Sequence, residues 1–330
     1  MLDRLVPTDQ ILLDDFQRDF PLLPRPFAEI AGRIGMEESQ VIARLAALQD
    51  AGTIARVGAT VRPNTAGAST LAALAVPDDR IEAVAALVGQ ESGVNHSYLR
   101  EHDWNLWFVA TAPDAPALQA SLDRIETRSH LRLLDLRLKR PFNIDLGFSL
   151  RDRSARPCVT GQADLTALRD GDRPILHALS QGLALVPAPF ADLAARLDLT
   201  EAALMVRIAA LLKARLITRL GVIVRHRAVG WSANAMVVWN LPEARIEAAG
   251  QALARLSGIT LCYQRETVPG LWPYGLFSMI HARARAEALE TLGRAASLPE
   301  LAGAEHHALF STRCFKQTGA QIAARPERVA

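Results

Sequence analysis

Residues 94–108, VNHSYLREHDWNLWF, gather two histidines, an arginine, a tyrosine and two tryptophans within an Ala- and Leu-rich chain. Side chains alternate between the two faces of a strand. His96, Tyr98, Arg100 and His102 then share one face, with Asn95, Leu99 and Glu101 on the other. Four polar or amphipathic groups in line make the wall of a pocket rather than an apolar core. Arginine grips carboxylates bidentately and stays charged at any relevant pH. Histidine delivers protons near neutrality. Just beyond, Trp104, Asn105 and Trp107 add flat surfaces on which a planar ligand can stack.

The second half of the chain echoes this wall. In SGITLCYQRE (257–266), Tyr263 and Arg265 repeat Tyr98 and Arg100, while Leu261 stands in place of His96. TVPGLWPYGLFSMIH follows, with Trp272 and Tyr274 near a strand start. Each half thus offers one arginine, one tyrosine and an aromatic cluster, and only the first offers paired histidines. Trp104 and Trp272 taken singly fit core packing equally well. His130, His177, His226, His281, His306 and His307 have less telling surroundings. No HxxxH or CxxC spacing marks a metal site held by the protein.

These strands belong to an internal duplication. Residues 21–69 align with 184–232, pairing Phe27 with Phe190, Ile54 with Ile217, Arg56 with Arg219, Gly58 with Gly221 and Arg62 with Arg225. In the first half, Ile11, Leu12, Leu13 and Phe16 make a helical stripe. Phe27, Ile30, Ala31 and Ile34 make a second, and Val41, Ile42, Leu45 and Leu48 a third. TIARVGATVRP then alternates like a two-stranded wing, completing a winged helix-turn-helix. The rest reads strand–helix–strand–strand–helix–strand, the ferredoxin-like order, and the second half repeats it.

The expected fold is therefore α+β, a tandem duplication of a winged helix-turn-helix plus a ferredoxin-like sandwich. Expected boundaries are 1–66 and 67–150 for the first pair and 172–230 and 231–330 for the second, with a charged, weakly periodic linker at 151–171. At 330 residues with half of them apolar, the chain is long enough for several packed cores. The 37 basic and 35 acidic residues leave a formal charge of +2, which gives no push toward nucleic acid. MLDRLVPTDQ does not read as a signal peptide, and no uncharged apolar run reaches the roughly 18 residues of a membrane span. Cys158, Cys262 and Cys314 are odd in number and far apart, so the expectation is a soluble, reduced, cytoplasmic protein.

The architecture resembles the Lrp/AsnC family of transcriptional regulators across both halves. A recognition helix meets bases with its N-terminal residues and phosphates with basic side chains. Here the candidate helices begin MEESQVIARL and LTEAALMVRI, with Glu37, Glu38 and Glu201 at their starts and only Arg44 and Arg207 basic at mid-helix. Specific DNA binding is therefore not expected.

HSYLREHDWNLWF resembles more narrowly the strand motif of the siroheme decarboxylases, Lrp-like enzymes of haem d1 biosynthesis. YQRETVPGLWPYGLFSMIH is similar to the companion subunit's version, and PFNIDLGFSL (141–150) to a strand-end signature of that family. The likeness spans essentially the whole chain, in the fused two-subunit form. It implies removal of two acetate carboxyl groups of siroheme, giving 12,18-didecarboxysiroheme, as a carboxy-lyase. No cofactor is implied beyond the iron carried in by the substrate. It also implies roles: Arg100 and Arg265 hold carboxylates, with Arg56 and Arg219 as further contacts. His96 supplies the proton, Tyr98 orients or relays, and His102 is the alternative donor or an axial contact to the substrate iron. Trp104, Asn105, Trp107, Tyr263, Trp272 and Tyr274 then contact the macrocycle. Paralogous subunits are conceivable partners. A DNA-binding regulator and a tetrapyrrole-binding sensor stay open as alternatives.

Overall fold

The structure, a computed structural model, describes residues 6–144 and 163–322. The first half runs α1 (Pro7–Asp15), α2 (Pro26–Ile34), α3 (Glu38–Asp50), β1 (Ile54–Val61), β2 (Ala68–Leu74), α4 (Ile81–Gln90), β3 (Val94–Arg100), β4 (Leu106–Ala112), α5 (Ala115–Ser129) and β5 (Leu133–Asn143). The second half repeats the order as α6 (Asp172–Gln181), α7 (Pro189–Arg196), α8 (Glu201–Lys213), β6 (Ile217–Val224), β7 (Ala233–Asn240), α9 (Glu243–Arg255), β8 (Ile259–Arg265), β9 (Leu276–Ala282), α10 (Arg285–Ala296) and β10 (Glu305–Gln317). Residues 151–162 of the expected linker and 145–150 of PFNIDLGFSL lie outside the described residues.

The chain folds into two compact units, each drawing on both halves. One unit joins residues 1–67, 161–230 and 319–330, and the other joins 68–160 and 231–318.

In the first unit both three-helix segments form, with Phe27 and Phe190 fully buried. The wing differs from expectation. TIARVGATVRP makes no hairpin: β1 is a single strand that pairs antiparallel with β6 of the other half, Gly58 facing Gly221. Gly58 is the one turn-type residue in Ile54–Val61, and it stays extended in the strand. The two glycines answer to packing. A Cβ on Gly58 would lie 2.5 Å from Leu179 O, and one on Gly221 would lie 2.3 Å from Gln17 O. Each half's first helix therefore ends against the other half's strand.

The two mid-helix arginines are each engaged by a buried carboxylate. Arg44 ion-pairs with Asp9, which is 1% exposed, and Arg207 Nε donates to Asp172 at 2.9 Å, also at 1% exposure. Arg207 also donates to Ala167 O at 3.0 Å. Arg207 is largely buried, while the Arg44 side chain stays 41% exposed beside its carboxylate. The exposed positions of α3 and α8 mix small apolar residues such as Ala43, Ala47, Ala202 and Val206 with Ser39, Gln40, Gln49 and Lys213.

The second unit is a closed eight-stranded barrel in the order β10-β3-β4-β2-β5-β8-β9-β7. Each half contributes a four-stranded ferredoxin-like sheet whose edges are satisfied by the other half, β3 by β10 and β5 by β8. Closure leaves no unpaired edge. α4 and α5 cover one outer face, burying Val84, Val88, Leu118, Leu122 and Ile125 against Leu74 and Phe108. α9 and α10 do the same for the second sheet through Ile246, Leu253 and Ala288. The inner faces meet around Leu71, Trp107, Leu136, Met236, Tyr263, Trp272, Phe277 and Leu309. Of the residues singled out from the sequence, Trp107, Tyr263, Trp272 and Tyr274 lie in this interior, with Trp104 packed against it.

Candidate active site

Strand β3 reaches the interior through an irregularity. Its pairing with β4 shifts between Val94 and His96. Val94 therefore packs into the helix-covered core, while His96, two residues on, aligns with Val109 on the inner side. Tyr98 follows, in register with Trp107. His96 Nδ1 and Tyr98 Oη lie 3.3 Å apart, with the rings nearly parallel. Arg100 stands over the Tyr98 ring with its guanidinium carbon 5.5 Å from the centroid. β8 has the same shift, between Ile259 and Leu261, and ends in the same pair: Arg265 lies 4.6 Å from the Tyr263 centroid. Cation–π contact of this kind steers a guanidinium without using up its hydrogen-bond donors.

The two arginines are anchored alike, each across the closure of the barrel. Arg100 Nη1 donates to Leu309 O on β10 at 3.0 Å, and Arg265 Nη1 donates to Leu136 O on β5 at 2.7 Å. Arg100 is buried, and burial depresses the affinity of Arg265 for its proton. Arg265 Nε has no hydrogen-bond partner among the described residues, nor does the Nε1 of Trp272, which is 1% exposed. Buried donors left unspent are uncommon and mark places where an acceptor is favoured.

His102 sits apart from its expected companions. β3 ends at Arg100, so His102 occupies the turn before β4. There its Nδ1 accepts from Trp104 N–H at 3.0 Å. Its ring lies edge-on to Trp272 at 5.5 Å and to His307 at 5.7 Å. An accepting Nδ1 leaves the proton of the neutral ring on Nε2, which makes His102 a donor. An axial contact to substrate iron through Nε2 would require that bond to be given up, so the iron-contact expectation does not suit this geometry. Burial and the neighbouring His307 hold its pKa below the usual histidine range, partly opposed by Asp103.

The aromatic residues are more deeply packed than a stacking platform requires. Trp107 and Trp272 are both 1% exposed and meet at 5.2 Å. Trp107 Nε1 donates to Trp104 O at 2.6 Å, which ties the turn to the strand. Tyr274 touches Trp272 at 5.0 Å, and its hydroxyl donates to Glu305 at 3.2 Å. Burial and that carboxylate keep its proton on. Asn105 serves the backbone: its amide accepts from Val76 N–H at 2.9 Å and donates to Val76 O at 2.8 Å, pinning the turn to the end of β2. This pair of hydrogen bonds gives Asn105 a structural role alongside the expected ligand contact.

Arg56 and Arg219 belong to the first unit. Arg56 Nη2 lies 3.5 Å from Ala59 O, and burial pushes its pKa down to about 10. Arg219 is buried at 5% exposure, opposite Thr60 in the β1–β6 ladder. Neither has the solvated position of an ordinary surface arginine.

Residues passed over in the sequence also come to the interior. Asn234 and His281 reach Arg100 through a chain of hydrogen bonds, with Asn234 Oδ1 3.3 Å from Arg100 Nη1. His307 joins the His102 group and lies 3.7 Å from Glu305. Local spacing carried no sign of these neighbours: Asn234 meets His281 through the β7–β9 pairing, and only Arg100 and His102 come from the other half.

A model described as the siroheme decarboxylase NirDL-like HTH domain matches residues 9–54 and 172–217, and the AsnC-like ligand binding domain matches 66–142 and 228–316. The chain is 61% identical to the siroheme decarboxylase NirDL subunit of Paracoccus denitrificans (strain Pd 1222), over 96% of this chain and 97% of that one. It is 46% identical to the siroheme decarboxylase NirD subunit of Stutzerimonas stutzeri, over 43% of this chain and 94% of that subunit. Among solved structures, siroheme decarboxylase NirDL in co-complex with an iron-uroporphyrin III analogue superposes with a TM-score of 0.66. That match has 28% identity and covers 94% of this chain and 93% of the other. With its duplicated helix-turn-helix, its AsnC-type barrel and near-complete alignment to a fused relative, the chain belongs to the siroheme decarboxylase family in its NirDL form.

Proposed function

We propose that this chain is a carboxy-lyase that removes two acetate carboxyl groups of siroheme, yielding 12,18-didecarboxysiroheme. One arrangement supports this above the rest: an arginine braced on a tyrosine, present once in each half and turned into a common interior. A flat macrocycle rimmed with carboxylates needs fixed cations separated by apolar surface. Arg100 and Arg265 supply the cations, while the partly buried Trp104, Val109, Leu138 and Leu261 beside the interior cluster supply the surface. The unspent donors Arg265 Nε and Trp272 Nε1 suit additional carboxylate oxygens.

In each event the bond between the acetate methylene and its carboxyl carbon breaks. Carbon dioxide leaves, and the electron pair stays on the methylene carbon, spread into the adjoining pyrrole. His96 then delivers a proton to that carbon, leaving a methyl group, with Tyr98 holding the imidazole and returning a proton to it. A buried site favours forming neutral carbon dioxide from a charged carboxylate. One proton enters and one carbon dioxide leaves per event. No electrons are gained or lost, so the balance calls for no oxidant and no cofactor beyond the iron already in the substrate.

The chain works in the cytoplasm in this reading, alone or with paralogous subunits of the NirD kind. Anaerobic incubation with siroheme, followed by mass spectrometry, tests it. Successive losses of carbon dioxide are expected. Unchanged bound siroheme would leave a tetrapyrrole sensor instead, and no binding would restore the regulator.

A further inference from the structure

Four side chains and one carbonyl make a continuous hydrogen-bonded chain behind Arg100. Arg100 Nη1 and Asn234 Oδ1 are 3.3 Å apart, Asn234 Nδ2 and His281 Nε2 are 2.7 Å apart, and His281 Nδ1 and Thr260 Oγ1 are 2.7 Å apart. Thr260 Oγ1 ends the chain 3.2 Å from Met279 O. Its direction follows from the chemistry of its two ends. A guanidinium only donates, so the Asn234 oxygen faces it and the Asn234 amide proton points at His281 Nε2. At the far end, the Thr260 hydroxyl spends its proton on the Met279 carbonyl and accepts from His281 Nδ1–H. Both ends require the same neutral tautomer of His281, which is 7% exposed.

Arg265 lacks the counterpart. Counting from Leu106 and Leu276, Thr111 stands where His281 stands, and its hydroxyl turns to Gly93 O at 3.3 Å. Counting from Ala68 and Ala233, Ser69 replaces Asn234.

We propose that Asn234 and His281 are positioning residues that fix the direction of the Arg100 guanidinium for carboxylate capture, making Arg100 the pre-set clamp of the pair and Arg265 the adaptable one. This rests on the reading of Arg100 as a carboxylate holder. Fixing a cation before the ligand arrives removes an ordering cost from binding.

Titration of the full chain with iron-uroporphyrin III, followed by absorbance, separates the two ideas. Asn234→Leu should weaken binding about tenfold, a usual size for coupling between directly bonded side chains. The same change should add nothing in an Arg100→Ala background. His281→Gln can accept from Asn234 and donate to Thr260 and should bind like the parent, whereas His281→Leu should match Asn234→Leu. This pair decides the matter even if Asn234→Leu fails to fold. Binding unaffected by Arg100→Ala would remove the carboxylate-holder reading itself. If Arg100→Ala weakens binding but His281→Gln is as weak as His281→Leu, or the Asn234 effect persists without Arg100, the relay is wrong.

Discussion

Arg100 and Arg265, 165 positions apart in a duplicated sequence, hold equivalent places: each lies on a tyrosine ring and donates to a backbone carbonyl of the opposite half. Neither half completes the anchoring of its own arginine. Arg100 depends on Leu309 from the second half, and Arg265 on Leu136 from the first.

Arg100→Ala and Arg265→Ala should each weaken binding of iron-uroporphyrin III, by about 10- to 100-fold for a lost charged hydrogen-bonding group. Isothermal or absorbance titration reads both. Equal affinity in both variants and the parent would mean that the carboxylates are held elsewhere.

His96→Ala should keep analogue affinity within a few-fold and lower turnover by about 10²- to 10⁴-fold, the usual contribution of a positioned proton donor. Single-turnover assays with siroheme measure it. A variant that decarboxylates at the parent rate would move the donor role to His102.

Stability should fall on the acid side, with His102 contributing. Its folded pKa is depressed, first by burial and then by His307. Above the unfolded pKa of roughly 6.5 both states are neutral and nothing changes. Below it the unfolded chain takes up a proton that the folded chain resists, so stability is lost as pH falls. The urea midpoint should drop between pH 7.5 and 5.5, and His102→Gln should reduce that drop. His177, depressed by burial in the other unit, should account for part of what remains.

Arg207→Ala should cost about 3 kcal/mol, because it strands the Asp172 carboxylate at 1% exposure. Chemical denaturation gives the value. The same variant should leave DNA affinity unchanged, since the parent should bind duplex DNA without the steep salt slope of a phosphate-reading helix. A slope that flattened in Arg207→Ala would reinstate the helix as a reader.

Where the determining pattern is local, the sequence was readable. The repeat fixed the two halves and the helix periods fixed α2, α3, α7 and α8, while period-two spacing put Tyr98 and Arg100 on one face. What escaped was made by pairing over long separations. The shift between Val94 and His96 reverses the alternation before Tyr98, and no residue type announces it. β1 has the composition of a wing strand, and that composition suits a local hairpin as well as the β6 ladder it joins. Asn234, His281 and His307 looked ordinary because their neighbours lie on other strands, and two of those neighbours, Arg100 and His102, come from the opposite half. The bracing of Val76 by Asn105 was equally hidden, since a polar side chain beside two tryptophans suggests a ligand contact as readily as a backbone brace.

The crossed closure of the barrel also bears on how the molecule comes into being. β3 waits for β10, and Arg100 for a carbonyl 209 residues later in the chain. During synthesis the β5 edge therefore stands open until β8 has been made, and the β3 edge until nearly all of the second half has been. Contacts of such span form slowly, and an open edge invites the wrong neighbour. Tethering both halves in one polypeptide keeps the right neighbour at high local concentration throughout that wait. Severing the chain between the halves should make recovery from denaturant depend on protein concentration, where the intact chain refolds at a rate independent of dilution.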